Sequence, residues 1–291
     1  MSVSRLPQVV STLADVATIE RAARRHALPL ADGQLVWRCW GEGEPVVLLH
    51  GGSGSWTHWV RSIDPLLEAG RQVWIPDLPG FGESAAAVPG GGDADALPEP
   101  IEAALRALLG DAPVDLAGFS FGTMVGAFIA ERWPRRVRRL VLTGAPALGL
   151  RGPQPIELRP WAQLPEGPGR DAALRENLAI LMLANPDPDD TLALELHRAN
   201  LVRDRMRLRR LSRTDIMRRT LPRVACPVFG IWGDEDVLHR GVQEQLAPAL
   251  AVAPDFRGLV RIPGAGHWAQ YEKAPQYSAA LAAALAAAAP R

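Results

Sequence analysis

Lysine is almost missing from this 291-residue chain: Lys273 is the only one, and arginine carries nearly all the positive charge. That imbalance reads as compositional bias, and it leaves no Gly-x-x-x-x-Gly-Lys pattern to cradle a nucleotide phosphate. Net charge is missing too. Basic and acidic residues balance at 32 each, so nothing in the total predicts nucleic acid or an anionic membrane as a partner. Cysteine is limited to Cys39 and Cys226, far apart and each in or beside an apolar segment. Two buried thiols are expected, not a disulfide framework, and they are too few for a structural zinc site. There is no His-Glu-x-x-His either, so no metal and no cofactor are expected. The longest apolar run, residues 279–289, is too short and too alanine-rich to cross a bilayer. No basic start leads into the apolar stretch of a secretory signal. A soluble, cytoplasmic protein is expected, with its oligomeric state left open.

What the chain does have is strand alternating with helix. Residues 35–40 read as a strand, closed by the turn 41–45. Residues 46–49 form the continuous apolar run of a strand buried on both faces, ending in the loop His50-Gly51-Gly52-Ser53-Gly54. Strands follow at 72–77, 114–119 and 137–143, with helices at 101–109 and 121–133. This alternation predicts an α/β fold on a mostly parallel sheet. A short amphipathic helix is expected over residues 13–26, inside an N-terminal extension, residues 1–30, with no recognisable chemistry. The segment 85–100, rich in Ala, Gly and Pro, reads as loose. From 147 to 222 no buried strand is found, and strands resume at 227–232 and 258–263. The simplest account is a helical cap, residues 147–222, inserted into a core of residues 31–146 and 223–291. It would sit at the carboxyl edge of the strands, where α/β proteins bind ligands.

One stretch organises the rest. Val114 to Met124 runs from an apolar strand through Gly118-Phe119-Ser120-Phe121-Gly122 into an apolar helix. A strand that turns sharply into a helix holds its middle residue strained at the tip, and small residues two before and two after let the helix double back. With 27 glycines, one chance Gly-x-Ser-x-Gly is expected in about one such chain in ten. The strand-before, helix-after setting is therefore what gives the pattern its weight. Gly80-Phe81-Gly82-Glu83-Ser84-Ala85 formally fits a dinucleotide fingerprint, but Pro89 and three glycines follow where a helix should run.

With His50-Gly51-Gly52, with Asp77-Leu78-Pro79-Gly80-Phe81-Gly82-Glu83-Ser84 and with Gly266-His267-Trp268, the serine turn makes the chain resemble an α/β-hydrolase. The resemblance covers about Trp37 to the C-terminus. The segments stand in the order that fold requires, and Trp232-Gly233-Asp234-Glu235-Asp236 lies between the last two. A serine hydroxyl needs a base in reach, and the base needs a partner that fixes its tautomer. Ser120 is thus the expected nucleophile and His267, freed by Gly264-Ala265-Gly266, the expected base. Among resembling sequences the acid stands three residues after the glycine, which favours Asp236 over Asp234. The backbone N–H groups of Gly52 and Phe121 are the expected oxyanion donors. His50 is read as a brace for its loop and His58 as part of the following helix. His26, His197 and His239 are read as ordinary surface or cap residues.

The histidine segment, Gly266 to Glu272, is similar to that of hydrolases splitting carbon–carbon bonds in ring-cleavage products, where the tryptophan lines the acyl pocket. Two features depart from that group: Phe119 stands where an asparagine is usual, and the oxyanion loop is shorter. The expectation is therefore a serine hydrolase cleaving a small-molecule carboxylic ester through an acyl-enzyme on Ser120. Phe119, Trp268 and Trp56 are expected to line its apolar pocket. The alternative is a carbon–carbon hydrolase of the meta-cleavage (2-hydroxy-6-oxo-dienoate) type. A second alternative is a non-catalytic ligand-binding protein on the same scaffold. Between Arg198 and Arg223 stand ten arginines against Asp204 and Asp215, read as a solvated helical face from which one or two can hold a substrate carboxylate.

Overall fold

The strands that read as apolar runs assemble into one sheet. The computed structural model describes residues 6–86, 92–150, 152 and 155–288. Its eight strands are β1 (Arg24–Leu30), β2 (Gly33–Trp40), β3 (Glu44–Leu49), β4 (Arg71–Pro76), β5 (Val114–Phe119), β6 (Val137–Thr143), β7 (Val228–Gly233) and β8 (Phe256–Ile262). Their order is β1-β2-β4-β3-β5-β6-β7-β8, parallel from β4 to β8 and antiparallel at β1 and β2. Every residue of β5 is buried, as a central parallel strand covered on both faces must be. The helices are α1 (Leu13–Ala22), α2 (Ile63–Glu68), α3 (Pro98–Leu109), α4 (Phe121–Arg132), α5 (Pro168–Asn177), α6 (Thr191–Val202), α7 (Ile216–Thr220), α8 (Leu246–Leu250), α9 (Ala269–Glu272) and α10 (Ala274–Ala286).

Two expectations about the N-terminal half need correction. The first helix stops at Ala22, and Arg24–Leu30 is the edge strand β1, paired antiparallel with β2. The sheet thus begins inside the segment read as an extension. His26, Leu28 and Leu30 alternate with exposed neighbours, a period of two that a helical reading of 13–26 overrides. Pro29 suits an edge because it has no N–H to give a ladder. The second correction concerns residues 85–100. Residues 87–91, Pro89 among them, lie outside the described residues, but α3 already starts at Pro98, a favoured first-turn proline.

The order of strands fixes where a site can be. From β3 the chain moves one way to β4, then crosses back to β5 on the other side of β3. A crevice opens at such a reversal, at the carboxyl ends of β3 and β5, and there His50-Gly51-Gly52 and Ser120 lie side by side. The opposite end is closed by charge. Asp115, buried on β5, accepts from Arg71 at 2.7 Å, Arg139 at 2.8 Å and Arg138 at 2.9 Å, so its carboxylate is not left unpaired in the interior.

Between β6 and β7 the described residues contain no strand, only α5, a π-helical turn at Leu178–Met182, α6, α7 and short 3₁₀ turns. Leu174, Leu178, Met182, Leu192 and Leu196 of this insertion bury into the same apolar cluster as Trp59 and Trp268 of the core.

Packing under the serine is tight. A Cβ on Gly118 would approach the Gly122 carbonyl oxygen and the Thr123 Cα to 2.7 Å, and one on Gly122 would collide with the carbonyls of Leu49 and His50. Gly122→Val is therefore expected to cost about 1–3 kcal/mol of stability through backbone displacement. Gly169→Ala, with open space around it in α5, should leave the urea midpoint unchanged or slightly raised. Equal midpoints for the two variants would contradict this packing.

Candidate active site

Ser120 occupies the tip between β5 and α4 with φ 48° and ψ −117°, a left-handed conformation that non-glycine residues rarely adopt. Three bonds hold it. Its N–H donates to the Thr143 carbonyl at 2.8 Å, and its own carbonyl accepts from the Thr123 N–H at 2.9 Å and the Thr123 hydroxyl at 2.5 Å. The helix after it is buried on ten of twelve residues, so the turn rests on a rigid element.

Asp236 and His267, separated by 31 positions in sequence, meet at the ends of β7 and β8. The His267 Nδ1 lies 3.0 Å from both carboxylate oxygens of Asp236, and the two side chains are 3% and 1% exposed. Burial by itself would raise the Asp236 carboxyl. The charge and hydrogen bond of His267, with neighbouring His239, outweigh that and hold it well below the usual carboxylate range. An ionised acceptor at Nδ1 leaves Nε2 as the basic nitrogen. Asp234 has a different place: it pairs with Arg261 on the outer side of the turn, and Glu235 is exposed. Gly144, at φ +58°, lies beneath the pair, where a Cβ would come within 2.8 Å of the His267 ring.

Ser120 and His267 line one cavity of about 470 Å³. Gly52 and Phe121 line it too, and a Cβ on Gly52 would lie 3.7 Å from that of Phe121, so the two expected oxyanion donors are neighbours. Phe121 is the first residue of α4, and its N–H is one of the four that a helix leaves without a carbonyl partner. Phe119 also lines the cavity, its ring 4.9 Å from that of His267.

Trp56 and Trp268 do not line it. Trp268 is 1% exposed, stacks on Tyr271 at 4.2 Å and donates its indole N–H to the His58 carbonyl at 2.9 Å. Trp56 packs on Trp40, its main-chain N–H bound to Asp77. Both support the wall from behind. The apolar surface facing the serine comes instead from Trp161, Leu181, Met182 and Leu201 of the insertion.

Sequence reasoning missed four groups. Arg209 of the insertion reaches the oxyanion loop: it donates to Ser53 Oγ at 3.0 Å, pairs with Asp204 and keeps a buried Nε–H without an acceptor. His58 and His197 line the cavity, and His239 is buried beside Asp236 at 3.7 Å. Burial lowers the basicity of three imidazoles around the site: His50, His58 well below the ordinary value, and His197 to about 4. For His197 a signal was present. It stands at i+3 from Leu194 and i−4 from Leu201, on the apolar face of α6. His50 does brace its loop, accepting from the Leu78 N–H at 2.8 Å and bonding the Gly51 carbonyl at 2.8 Å.

This geometry gives a test that needs no substrate. Asp236→Asn is expected to slow fluorophosphonate labelling of Ser120 by about 10⁴-fold, the scale for a triad carboxylate turned to amide. Asp234→Asn, altering an outer ion pair, should stay within about threefold of the parent. A reversed order would move the acid to Asp234.

Known proteins agree with the fold. Residues 44–177 match the family described as the alpha/beta hydrolase fold. The chain is 30% identical over 256 residues to 2-hydroxy-6-oxo-6-phenylhexa-2,4-dienoate hydrolase of Burkholderia cepacia, covering 82% of this chain and 86% of that one. It is 33% identical over 147 residues to 2-hydroxy-6-oxononadienedioate/2-hydroxy-6-oxononatrienedioate hydrolase of Escherichia coli (strain K12), a match spanning 50% of this chain and 49% of the relative. Among solved structures, a meta-cleavage product hydrolase superposes with a TM-score of 0.67 at 23% identity, covering 89% of this chain and 97% of that one. With strand order, serine turn and relatives in accord, the chain is an α/β-fold hydrolase and belongs to the α/β-hydrolase family.

Proposed function

We propose that this hydrolase splits a carbon–carbon bond in a carboxylate-bearing dienoate of the meta-cleavage (2-hydroxy-6-oxo-dienoate) type. Arg209 is the observation that carries the reading. Its guanidinium stands beside Gly52, at the oxyanion end of a cavity whose lining is largely apolar. A simple ester needs no such group, whereas a dienoate brings a carboxylate that guanidinium binds well. A second hollow of about 690 Å³ shares Ser53, Trp161, Leu201, Arg209 and Arg213 with the first. It adds Arg207 and Arg210, so four arginines face one acid, Asp204, and attract anions. The relative identical at 30% is named for this class of substrate. One observation favours an ester instead: Phe119 offers no hydrogen bond beside the serine.

The steps follow from the named groups. The dienol first becomes a ketone, so that the departing carbon can leave as a stabilised enolate. Ser120 Oγ then attacks the remote carbonyl while His267 Nε2 takes its proton, with Asp236 holding the imidazolium. The oxyanion lies against the N–H groups of Gly52 and Phe121. As it collapses, the carbon–carbon pair passes to the enolate carbon, which takes the proton back from His267. Water, deprotonated by the same histidine, hydrolyses the acyl-enzyme. The insertion acts as the cap that closes the cavity and keeps bulk water from it.

Assay of one preparation on a 2-hydroxy-6-oxo-dienoate and on short aryl esters tests this choice. The expected kcat/KM is at least about 100-fold higher for the dienoate. Arg209→Gln should lower it about 10- to 100-fold for the dienoate, one charge-assisted hydrogen bond, and lower the esters by a smaller factor, up to about fivefold, through the lost bond to Ser53 of the oxyanion loop. Ester turnover equal to or above that of the dienoate would restore the ester reading. Ser120→Ala should abolish both activities with an unchanged melting temperature.

No group of His, Cys, Asp or Glu among the described residues is arranged to hold a metal ion. Exhaustive chelation is accordingly expected to leave kcat unchanged, and loss of activity restored by zinc or manganese would refute the serine mechanism.

A further inference from the structure

Two histidines of the cavity, the buried His58 and the half-buried His197, have no part in the steps above. His58 follows the glycine loop, on the 3₁₀ turn Trp56–Trp59. The Gly51 N–H donates to its Nδ1 at 3.2 Å, so that nitrogen is unprotonated and the proton is on Nε2. Its ring stands edge-on to Phe119 at 5.3 Å and tilted to Trp268 at 5.1 Å, which fixes its plane. His197 arrives from the insertion. One turn later on α6, the Asn200 amide donates to Thr57 Oγ1 at 3.1 Å, and Thr57 Oγ1 is 2.8 Å from Ser55 Oγ. That contact pins α6 beside the residue preceding His58, and both imidazoles line the cavity that holds Ser120.

Burial keeps both rings neutral at physiological pH. A neutral imidazole donates one N–H without adding charge, unlike Arg209. For packing alone beside Phe119, Leu181, Met182 and Leu201, which line the same cavity, histidine is a poor choice, because a ring N–H turned to apolar neighbours goes unsatisfied. A ligand oxygen satisfies it.

We infer that His58 and His197 form a second polar subsite, which holds an enol or keto oxygen of the substrate remote from the carbonyl under attack. This supplies by imidazole N–H the hydrogen bond that Phe119 cannot give. The inference rests on the dienoate reading for the identity of that oxygen, and on the cavity alone for the donors.

The test uses the full-length Ser120→Ala protein, which binds without turnover, and two ligands differing in one atom. These are a 2-hydroxy-6-oxo-dienoate and the same acid lacking the 2-oxygen. His197→Leu in that background is expected to weaken the first about 3- to 10-fold and the second less than about twofold, the selectivity of one neutral hydrogen bond. His58→Phe, which keeps a ring but no donor, should behave alike, with melting temperatures showing that both variants fold. Equal weakening of the two ligands, or none, would overturn the subsite. Should the parent protein neither bind nor split any dienoate, the carbon–carbon reading fails by itself. The subsite is then measured on the active enzyme with aryl esters carrying or lacking a carbonyl oxygen on the leaving group. A loss in His197→Leu confined to the oxygen-bearing ester supports it, and an equal loss on both esters overturns it.

Discussion

The buried contact between Asp236 and His267 is the constraint on which the rest of this molecule depends. An ionised carboxylate 1% exposed survives only with partners, and here the imidazole and the Leu238 N–H provide them. Keeping these partners together dictates the local backbone. Two loops must leave adjacent parallel strands and return to one point, and the chain under them must be narrow enough at Gly144 to let the ring lie flat. On the other side of the same edge, β5 and α4 approach until only glycine fits at 118 and 122. One sheet edge thus carries a strained serine and a buried carboxylate–imidazole contact.

The insertion does more than cover that edge. Its stretch after α6 is tied to the core at three points. Arg205 bonds the carbonyls of Gly82 and Ser84, Asp204 accepts from Ser53 at 2.6 Å, and the Leu211 N–H donates to Asp93 at 3.1 Å. Ser53 sits in the loop of the expected oxyanion donor Gly52, with φ 48°. Through Asp204 and Arg209 the insertion therefore holds the loop whose N–H must face the developing charge. Arginine is suited to this because its planar fork can bond a loop and face a ligand at once.

Much was legible in the sequence because much of it is local. The buried strands declare themselves as apolar runs, and the serine turn as glycines at fixed offsets from Ser120. The acid was narrowed to two carboxylates, and the structure places Asp236 on His267 and Asp234 on Arg261. The pocket walls were read less well. Trp56 and Trp268 follow loops known to flank a site, yet each turns its ring into the core behind it. The wall residues that matter for a ligand arrive on the insertion, whose arginines and histidines look alike along the chain.

By itself the sequence determined the succession of strands from β2 onward, the serine turn and the candidates for base and acid. Each of these rests on hydrophobic period or on backbone geometry within a few residues. Only the tertiary structure decided that Arg24–Leu30 joins the sheet, that Asp236 is the carboxylate buried on His267, and that His58, His197 and Arg209 face the serine. Those facts depend on contacts between residues far apart in the chain, such as Ser53 with Asp204 or Thr57 with Asn200. The side chain alone does not say which neighbour will desolvate it, and desolvation sets both the charge it carries and the chemistry open to it.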